Sequence, residues 1–374
     1  MTQASPRRLR VLITADAVGG VWQYSLELAG GLSRIGVETV LAVMGPSPSA
    51  DQTASAAAID GLELVDTGLP LDWLADDTAS LRAAGEEIAK LAARRGFDIV
   101  QLNTPALAAE AEFECPVVAV QHSCVATWWE AVRGSALPAD FAWRTDLVRA
   151  GLRNADIVVA PTGAFGAATQ RVYGLAEAPR TVHNGRSPFP AAAQATHDFV
   201  FTCGRLWDEG KNLATLDAAA RHIPVPVRTA GPLTGPNGAA ISFDNLHCLG
   251  SVAEAELARW LAARPVFASA ALYEPFGLAV LEAAAAGCPL VLSDIPTFRE
   301  IWEGAAVFVP PRDADGFARA IADMIGDDLQ RTAMGRAAQA RAALLTPDAT
   351  AARMADIYRG LLPAALETGA KAAA

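Results

Sequence analysis

The sequence predicts an α/β protein with two doubly wound parallel sheets, and three observations support this prediction. The chain has 374 residues, which exceeds one ordinary core and suits two domains of about 150 to 200 residues. Short apolar runs alternate with helical stretches along most of the chain, as in strand–helix–strand units. A stretch rich in Pro and Ala, at 187–197, lacks this periodicity and predicts a linker between the domains.

The first predicted domain, residues 1–186, opens with a buried strand at 9–15, a loop ending in Gly19 and Gly20, and a helix from about 21 to 33. A strand, a glycine turn and a helix form the phosphate-approach geometry of open α/β sheets. The dinucleotide fingerprint G-x-G-x-x-G is absent, so a nicotinamide-binding domain is not expected. Further strands are predicted at 39–44, 98–102, 116–121 and 156–160, and helices at 78–95, 105–112 and 140–154.

Two features follow the predicted strand at 116–121, where ligands of such sheets bind. His122 ends that strand and is either a structural hydrogen-bonding residue or a ligand contact. Trp128 and Trp129 are adjacent in a predicted loop. Aromatic faces suit sugar rings or lipid-like groups, although such a pair also serves to anchor a loop.

The second predicted domain, residues 198–346, has two cations near the start of its first helix, predicted from about 213. Arg205 follows the first strand, and Lys211 comes just before the helix. Two cations beside a helix N-terminus suit a diphosphate, and the alternative is a pair of solvated loop charges. The chain has only three lysines, at 90, 211 and 371, in a background rich in Arg, which favours a specific role for Lys211.

The stretch 273–289 predicts a loop that turns into a short buried helix, because Pro and Gly residues bound an otherwise apolar run. Glu282 is the exception inside the helix, and its charge is expected to be offset by hydroxyls or amides. Glu274 lies eight positions earlier, just ahead of the helix. From these residues alone two interpretations stay open. The carboxylates bind a ligand's hydroxyl groups, or they are a loop residue and a satisfied core acid.

Composition excludes several classes of function. A hydrophobic content of 52% and a charged content of 19% indicate a folded protein, and a net charge of −11 argues against nucleic acid as a partner. No stretch reads as a signal peptide or membrane span. The five cysteines are scattered without a C-x-x-C pair, so we expect reduced thiols, a cytoplasmic protein and no metal centre. No Asp-x-Asp or His-rich ligand set lies in a plausible loop.

The spacing of Glu274 and Glu282 resembles the E-x7-E motif of retaining glycosyltransferases with the GT-B fold, in the family 4 group. The flanks agree, with Glu-Pro-Phe-Gly-Leu ahead and Glu-Ala-x-Ala-x-Gly-x-Pro after. Asn184-Gly185-Arg186 resembles the end of the family's first domain, and Gly-Arg-Leu-x-x-x-x-Lys at 204–211 resembles its diphosphate-binding pair. The resemblance extends over nearly the whole chain.

The resemblance implies two Rossmann-like domains that face a deep interdomain cleft, with a C-terminal helix, within 347–374, that crosses back onto the first domain. It implies retaining transfer of a sugar from a nucleoside-diphosphate sugar, UDP favoured over GDP. Neither a metal nor another cofactor is implied. The resemblance does not identify the acceptor, and a saccharide, a lipid-linked group and a small molecule all stay open.

The resemblance also assigns roles to residues. Arg205 and Lys211 would neutralise the leaving diphosphate, Glu282 would bind the ribose, and Glu274 would orient the sugar. Catalytic roles go to His122, Glu274, Arg205 and Lys211. Donor contacts are expected at Gly20, Arg205, Lys211, Val252, Phe276, Gly277, Leu278 and Glu282. The acceptor side is expected at Gly19, Gly20, His122, Trp128 and Trp129.

The chain departs from the family in one place and leaves two alternatives open. Ala270 and Ala271 stand where the family usually has Pro-Ser, so a side-chain hydroxyl contact there is in doubt. A sugar-nucleotide epimerase shares the architecture but lacks the E-x7-E string with a Gly-Arg…Lys pair ahead of it. A non-catalytic sugar-nucleotide-binding partner of another transferase is the other alternative, and the retained carboxylates and cations argue against it.

Overall fold

The computed structural model describes residues 8–190, 195–235 and 238–363, and these form two compact units. The first unit contains 8–127, 137–185 and 347–363, and the second contains 128–136 and the described residues from 186 to 346. Arg186 and the segment 128–136 therefore group with the second unit, whereas the sequence assigned both to the first domain. Residues 191–194 of the predicted linker and 364–374 of the predicted tail lie outside the described residues.

The first unit is built on a parallel sheet with the strand order β3-β2-β1-β4-β5-β6-β7. The apolar runs predicted β1, β2, β4, β5 and β6. They did not reveal β3, whose residues are only partly buried. The bounds are β1 Arg10–Asp16, β2 Glu38–Met44, β3 Leu62–Asp66, β4 Ile99–Leu102, β5 Val117–Val120, β6 Ile157–Ala160 and β7 Arg180–Thr181.

Helices cover this sheet, and one predicted helix is different. Of the helix predicted at 105–112, only Pro105–Ala108 is helical, as a short 3-10 helix. Its backbone packs closely against Gly85 and Gly151. A Cβ on Gly85 would lie 2.4 Å from the Leu107 carbonyl oxygen, and one on Gly151 would lie 1.8 Å from that of Pro105. The α-helices in this part of the chain are α1 Gly20–Arg34, α2 Ala50–Ala57, α3 Thr78–Arg95, α4 Val125–Arg133, α5 Ala142–Asn154 and α6 Gly163–Tyr173, and residues 128–133 of α4 group with the second unit.

The last helix, α13 (Pro347–Gly360), packs on α1 in the first unit. A Cβ on Gly31 of α1 would lie 2.6 Å from that of Ala351, so glycine is what permits this close approach. Tyr358 is completely buried in the core of the first unit. The C-terminal helix predicted from about Pro347 is therefore confirmed as part of the first unit.

The second unit repeats the same topology, with strand order β10-β9-β8-β11-β12-β13. Its strands are β8 Val200–Cys203, β9 Val227–Ala230, β10 His247–Cys248, β11 Val266–Ser269, β12 Leu290–Ser293 and β13 Val307–Val309. Its α-helices are α7 Leu213–Ala220, α8 Glu254–Ala262, α9 Leu278–Ala285, α10 Pro296–Trp302, α11 Ala314–Gly326 and α12 Asp328–Ala342. Within the described ranges, no helix is both long and apolar enough to cross a membrane.

Both strand orders reverse direction beside the first strand of the unit. In the first unit the reversal lies between β1 and β4, and in the second between β8 and β11. Ligands of open α/β sheets bind outside the carboxyl ends of the strands at such a point. The residues that follow these strands, including Gly19, Asn103 and Gly204, are therefore the first places to search for a site.

Candidate functional site

In the first unit, the loop after β1 leaves the start of α1 open. The Asp16 carboxylate accepts hydrogen bonds from the amides of Val18 and Gly19, at 2.9 and 3.1 Å, and these bonds fix the turn. Gly19 is the N-cap of α1 and provides no side-chain cap. A Cβ on Gly19 would meet no atom of the described residues within 4 Å. Gly19 and Gly20 therefore leave the positive end of a helix open, and their contact with a ligand stays a prediction.

His122 lies at the same edge of the first sheet, just after β5. Its Nε2 is 3.1 Å from Asn103 Oδ1, and its ring meets the Tyr24 ring edge-on at a centroid distance of 4.4 Å. Burial lowers the pKa of His122 from 6.5 to about 3, because the charged imidazolium would lose its hydration. The imidazole is therefore neutral at pH 7. The structural hydrogen bond that the sequence left open is present, at the edge where ligands bind.

In the second unit, Lys211 Nζ and Glu274 Oε2 form an ion pair. The two side chains are 18% and 15% exposed, so water screens the pair only partly. Both residues line one small cavity with Gly204, at the end of β8. Thr202, Cys203, Leu206, Leu213, Phe267, Ser269, Ala279 and Val280 complete its walls. The sequence placed both charges at a ligand site but did not predict that they pair with each other.

Backbone contacts hold this ion pair in place. The Leu272 amide donates to the Gly210 carbonyl at 2.8 Å, which ties the loop of Glu274 to the turn of Lys211. Thr297 Oγ1 donates to the Glu274 carbonyl at 2.7 Å. The carboxylate and the ammonium are therefore set by two joined segments of backbone, and a preorganised site requires this kind of support.

Arg205 has a different environment from Lys211. Its side chain is 49% exposed, and Nη2 lies 3.2 Å from Asp208 Oδ2. Asp208 Oδ1 also accepts hydrogen bonds from the Gly210 amide, at 2.9 Å, and from the Trp128 indole, at 3.0 Å. Asp208 therefore organises the turn that carries both cations. Sequence reasoning missed it, although an Asp two residues ahead of a glycine is typical of a side chain that closes a turn.

The helix α9 begins at Gly277, which has a left-handed backbone with φ 93° and provides no side-chain cap. Glycine adopts this conformation without strain, and a Cβ there would lie 3.0 Å from the Phe298 ring. Phe276 is buried in the core, and Leu278 is partly exposed in the first turn. The predicted change from loop to buried helix is confirmed. Its N-terminus lies next to Glu274 in the chain, where the sequence expected an anion.

Glu282 is paired with Arg186, a residue to which the sequence assigned no ligand role. Arg186 Nε lies 2.8 Å from Glu282 Oε1, and the side chains are 6% and 12% exposed. Arg186 Nη2 also lies 3.2 Å from Glu254 Oε2, and its guanidinium lies 4.9 Å from the centre of the Phe189 ring. Sequence reasoning therefore missed a guanidinium that offsets the charge of Glu282, and hydroxyls or amides as further partners stay a prediction. Its contact with the ribose stays a prediction.

The prediction of a loop for Trp128 and Trp129 is also wrong. Both belong to α4, since no Gly or Pro interrupts the chain until Gly134, which has a left-handed backbone with φ 61°. The Arg133 guanidinium lies 5.8 Å from the centre of each indole ring. Through Asp208, Trp128 packs with the second unit, and the acceptor-side role of the pair stays a prediction.

The remaining positions that the sequence analysis considered pack in the core or cap a helix. Val252 is partly buried against the core of the second unit. Ala270 and Ala271 are fully buried, so the replacement of Pro-Ser places two methyl groups in the core. One Asp-x-Asp string begins at Asp313, whose Oδ1 accepts the Gly316 amide at 2.8 Å and so caps α11.

Family models match most of the chain. The Glycosyltransferase Family 4 model matches residues 18–188, and the Glycosyl transferases group 1 model matches residues 197–327. D-inositol 3-phosphate glycosyltransferase of Corynebacterium urealyticum is 31% identical over 40% of this chain and 38% of its own length. Glycogen synthase of Mycobacterium tuberculosis is 27% identical over 87% of this chain and 86% of its own length.

A solved structure supports the fold. HepE of Anabaena, in complex with UDP and glucose, superimposes with a TM-score of 0.69 at 18% identity, covering 95% of this chain and all of that one. The two parallel sheets of this chain, which share one order over six strands, agree with this likeness. The chain therefore belongs to the group 1 and family 4 glycosyltransferases, enzymes of the hexosyltransferase type with the GT-B fold.

Proposed function

We propose that this enzyme transfers a hexosyl group from a nucleoside-diphosphate sugar to an acceptor hydroxyl, with retention at the anomeric carbon and without a metal. The observation that carries the proposal is the Lys211–Glu274 ion pair in a cavity at the end of β8. UDP is favoured over GDP, and the HepE complex with UDP and glucose supports this choice. A saccharide, a lipid-linked group and a small molecule all remain open as the acceptor.

The site must stabilise the negative charge of the leaving group. When the bond between the anomeric carbon and the diphosphate breaks, negative charge develops on the phosphate oxygens. Lys211 and Arg205 lie on the turn beside the cavity and would stabilise that charge, with the N-terminus of α9 beside them. Losing one such preorganised group typically lowers the rate by roughly 100- to 1000-fold.

The two carboxylates would bind different parts of the donor. Glu274 would orient sugar hydroxyls near the diphosphate, and its contact with Lys211 at the cavity supports this role. Glu282 lies in the second turn of α9, where a ribose hydroxyl can donate to it. His122 is neutral and contributes a hydrogen bond, not a charge.

The proposed retention rests on the resemblance to retaining glycosyltransferases. None of the candidate site residues is a convincing covalent nucleophile, so a double displacement through a covalent intermediate is not expected. We infer that the acceptor oxygen attacks on the face from which the diphosphate leaves. The carbon–phosphate-oxygen bond breaks, the new glycosidic bond forms, and the acceptor proton passes to the departing phosphate.

A thermal-shift screen with UDP, GDP and ADP tests the proposal first. A nucleotide at about 100 times its dissociation constant stabilises the folded enzyme by about 2.7 kcal/mol. UDP-glucose and GDP-mannose then serve as donors, and NMR follows nucleotide release and the anomeric configuration of the product. We expect nucleotide release with an α-configured product from an α-linked donor, lost in Lys211→Ala. Conversion of the donor sugar without nucleotide release would indicate an epimerase, and binding without any turnover would indicate the non-catalytic alternative.

A further inference from the structure

Asn212 adopts a left-handed backbone conformation between the turn of Lys211 and helix α7. Its φ is 53° and its ψ is 41°, and it ends the 3-10 turn Glu209–Lys211 and begins α7. Within residues 8–190, 195–235 and 238–363, Arg264 is the only other non-glycine residue with a positive φ. Such a backbone is unfavourable for most side chains, and asparagine tolerates it better because its short amide can form local hydrogen bonds. An asparagine at this position therefore points to a role for its side chain.

The Asn212 carboxamide joins three segments of the second unit. Its Nδ2 donates to the carbonyl oxygens of Ala270, at 2.9 Å, and Pro311, at 2.7 Å. Its Oδ1 accepts from Thr215 Oγ1 at 3.1 Å, in the first turn of α7. A carbonyl oxygen only accepts hydrogen bonds, so the NH₂ group must be the end of the amide that faces the two carbonyls. Both hydrogens of this group are therefore used, and the amide has one orientation.

Other side chains also hold the loop that precedes α9. Ser293 is fully buried, and its Oγ donates to the Ala271 carbonyl at 2.6 Å. Ala270 and Ala271 have no polar side-chain group, so neighbouring segments must satisfy their carbonyl oxygens and fix their position. Among the side chains that do so, Asn212 is the one next to Lys211 in the chain. It therefore connects the cation of the ion pair to the loop that carries its carboxylate.

We propose that Asn212 is a positioning residue for the ion pair of Lys211 and Glu274. Its amide holds the turn of the ammonium and the loop of the carboxylate at one separation, so that the two charges meet at the cavity beside β8. The part that this pair plays in donor binding and turnover rests on the proposed function. The arrangement of the pair does not, because it is a property of the folded chain alone.

The arrangement of the ion pair can be tested without any ligand. Lys211→Met, Glu274→Gln and the double variant are unfolded in urea, first in the wild-type chain and then in Asn212→Gly. Glycine adopts the left-handed backbone without strain and removes both hydrogen bonds of the amide. We expect a coupling between Lys211 and Glu274 in the wild-type chain that is much smaller in Asn212→Gly. The absence of coupling in the wild-type chain, or the same coupling in both, would overturn the proposal.

Turnover tests the positioning role in the working enzyme. With UDP-glucose as the donor, nucleotide release per folded molecule should fall about 10- to 100-fold in Asn212→Gly, since a misplacement of about 1 Å has a cost of this order. Adding Glu274→Gln should then cost less than it does in the wild-type chain, because the pair that it breaks is already displaced. Losses that simply multiply are what a purely structural role would produce, and they would overturn the proposal.

A second variant of Asn212 tests whether the NH₂ group is what matters. Asn212→Asp has nearly the same size and tolerates the same backbone, but it places an oxygen against the two carbonyl oxygens. It should therefore lose at least as much turnover as Asn212→Gly. Wild-type turnover in Asn212→Asp would overturn the proposal.

Asn245→Gly is the matched control, because Asn245 also anchors α7, with Nδ2 at 3.1 Å from Asp217 Oδ2. It should leave turnover and the coupling at their wild-type values. The same losses in Asn245→Gly would mean that a loosened α7 is sufficient, and this would overturn the assignment to Asn212. A wild-type enzyme that neither binds UDP nor releases it from UDP-glucose contradicts the proposed function, whereas the unfolding measurements decide the role of Asn212 alone.

Discussion

Arg186 holds Glu282 through an almost completely buried ion pair, with Nε 2.8 Å from Oε1. The two residues are 96 positions apart in the chain. A buried carboxylate without a partner would have to be protonated or hydrated, and either would change its hydrogen bonding. Arg186 therefore helps to fix the direction of the second carboxylate of the E-x7-E spacing.

The first prediction concerns the stability that this pair provides. Arg186→Met removes the guanidinium that offsets the buried charge of Glu282, so the free energy of unfolding should fall by about 3 to 5 kcal/mol. Adding Glu282→Gln should restore part of this loss, because the buried charge is then gone. Urea unfolding of the three variants measures the coupling. Additive losses in the double variant would show that the two residues do not depend on each other.

A second buried arginine provides the control for the effect on binding. Arg331 is 5% exposed in its side chain and pairs with Asp198 at 2.6 Å. Arg331→Met should also destabilise the fold but leave UDP affinity unchanged. Arg186→Met should weaken UDP binding, because Glu282 loses its fixed direction. Similar UDP affinity in both variants would mean that Arg186 serves the fold alone.

The second prediction is that Lys211→Arg lowers turnover strongly, although it keeps the charge. The ammonium is a compact group with 18% exposure, paired to Glu274, and a planar guanidinium does not fit the same place. Lys90→Arg is the matched control, because Lys90 is 55% exposed and pairs with Glu87 on a helix surface. Steady-state kinetics should show a loss only for Lys211→Arg. Wild-type kinetics in both variants would show that Lys211 does not contact the diphosphate.

The third prediction is that activity survives excess EDTA. In the proposed mechanism Lys211, Arg205 and the N-terminus of α9 would supply the positive charge that a divalent cation could otherwise provide. The measurement is nucleotide release from UDP-glucose before and after dialysis against EDTA. Loss of activity that manganese restores would contradict this assignment of charge.

The fourth prediction concerns stability against pH. The pKa of His122 is 6.5 in the unfolded chain and about 3 in the fold, because burial disfavours the cation. Between these values the unfolded state binds more protons, so stability should fall as the pH falls from 6.5 towards 3. His122→Gln removes this contribution, and its stability should decline less steeply over the same range. Parallel curves for wild type and variant would show that His122 has an ordinary pKa.

Another group titrates in this range with the opposite sign. Burial raises the pKa of Asp72 from 3.8 to about 6, so its contribution to stability is present at low pH and is lost as the pH rises through 6. Wild type and His122→Gln share Asp72. The difference between their curves therefore isolates the histidine.

The sequence predicted the repeating strands and the helix start at Gly277 because local patterns determine them. Apolar runs mark buried strands, and a glycine is needed where the backbone is left-handed. Partnerships between distant residues carry no such pattern. The pairing of Arg186 with Glu282, and of Lys211 with Glu274, depends on how segments 60 to 100 positions apart fold together. Asn103 gave one usable signal, since it directly follows a buried strand.

The last prediction separates the two carboxylates, whose surroundings differ. Glu282 is held by Arg186 inside the second unit, and Glu274 contacts Lys211 at the cavity. If Glu282 binds the ribose, Glu282→Gln should weaken UDP and UDP-glucose in parallel, since both carry that ribose. Glu254→Gln is the matched control, because Glu254 also contacts Arg186 but its side chain is 61% exposed. It should change neither affinity.

Glu274→Gln should leave UDP affinity nearly intact, because the sugar and not the nucleotide is its expected partner. Turnover should fall instead, since the sugar hydroxyls lose the group that holds the anomeric carbon in line for attack. Titrations with UDP and with UDP-glucose on each variant, beside steady-state kinetics, provide the comparison. If Glu274→Gln weakens UDP as much as Glu282→Gln does, both carboxylates serve the nucleotide, and the role given to the Lys211–Glu274 pair is wrong.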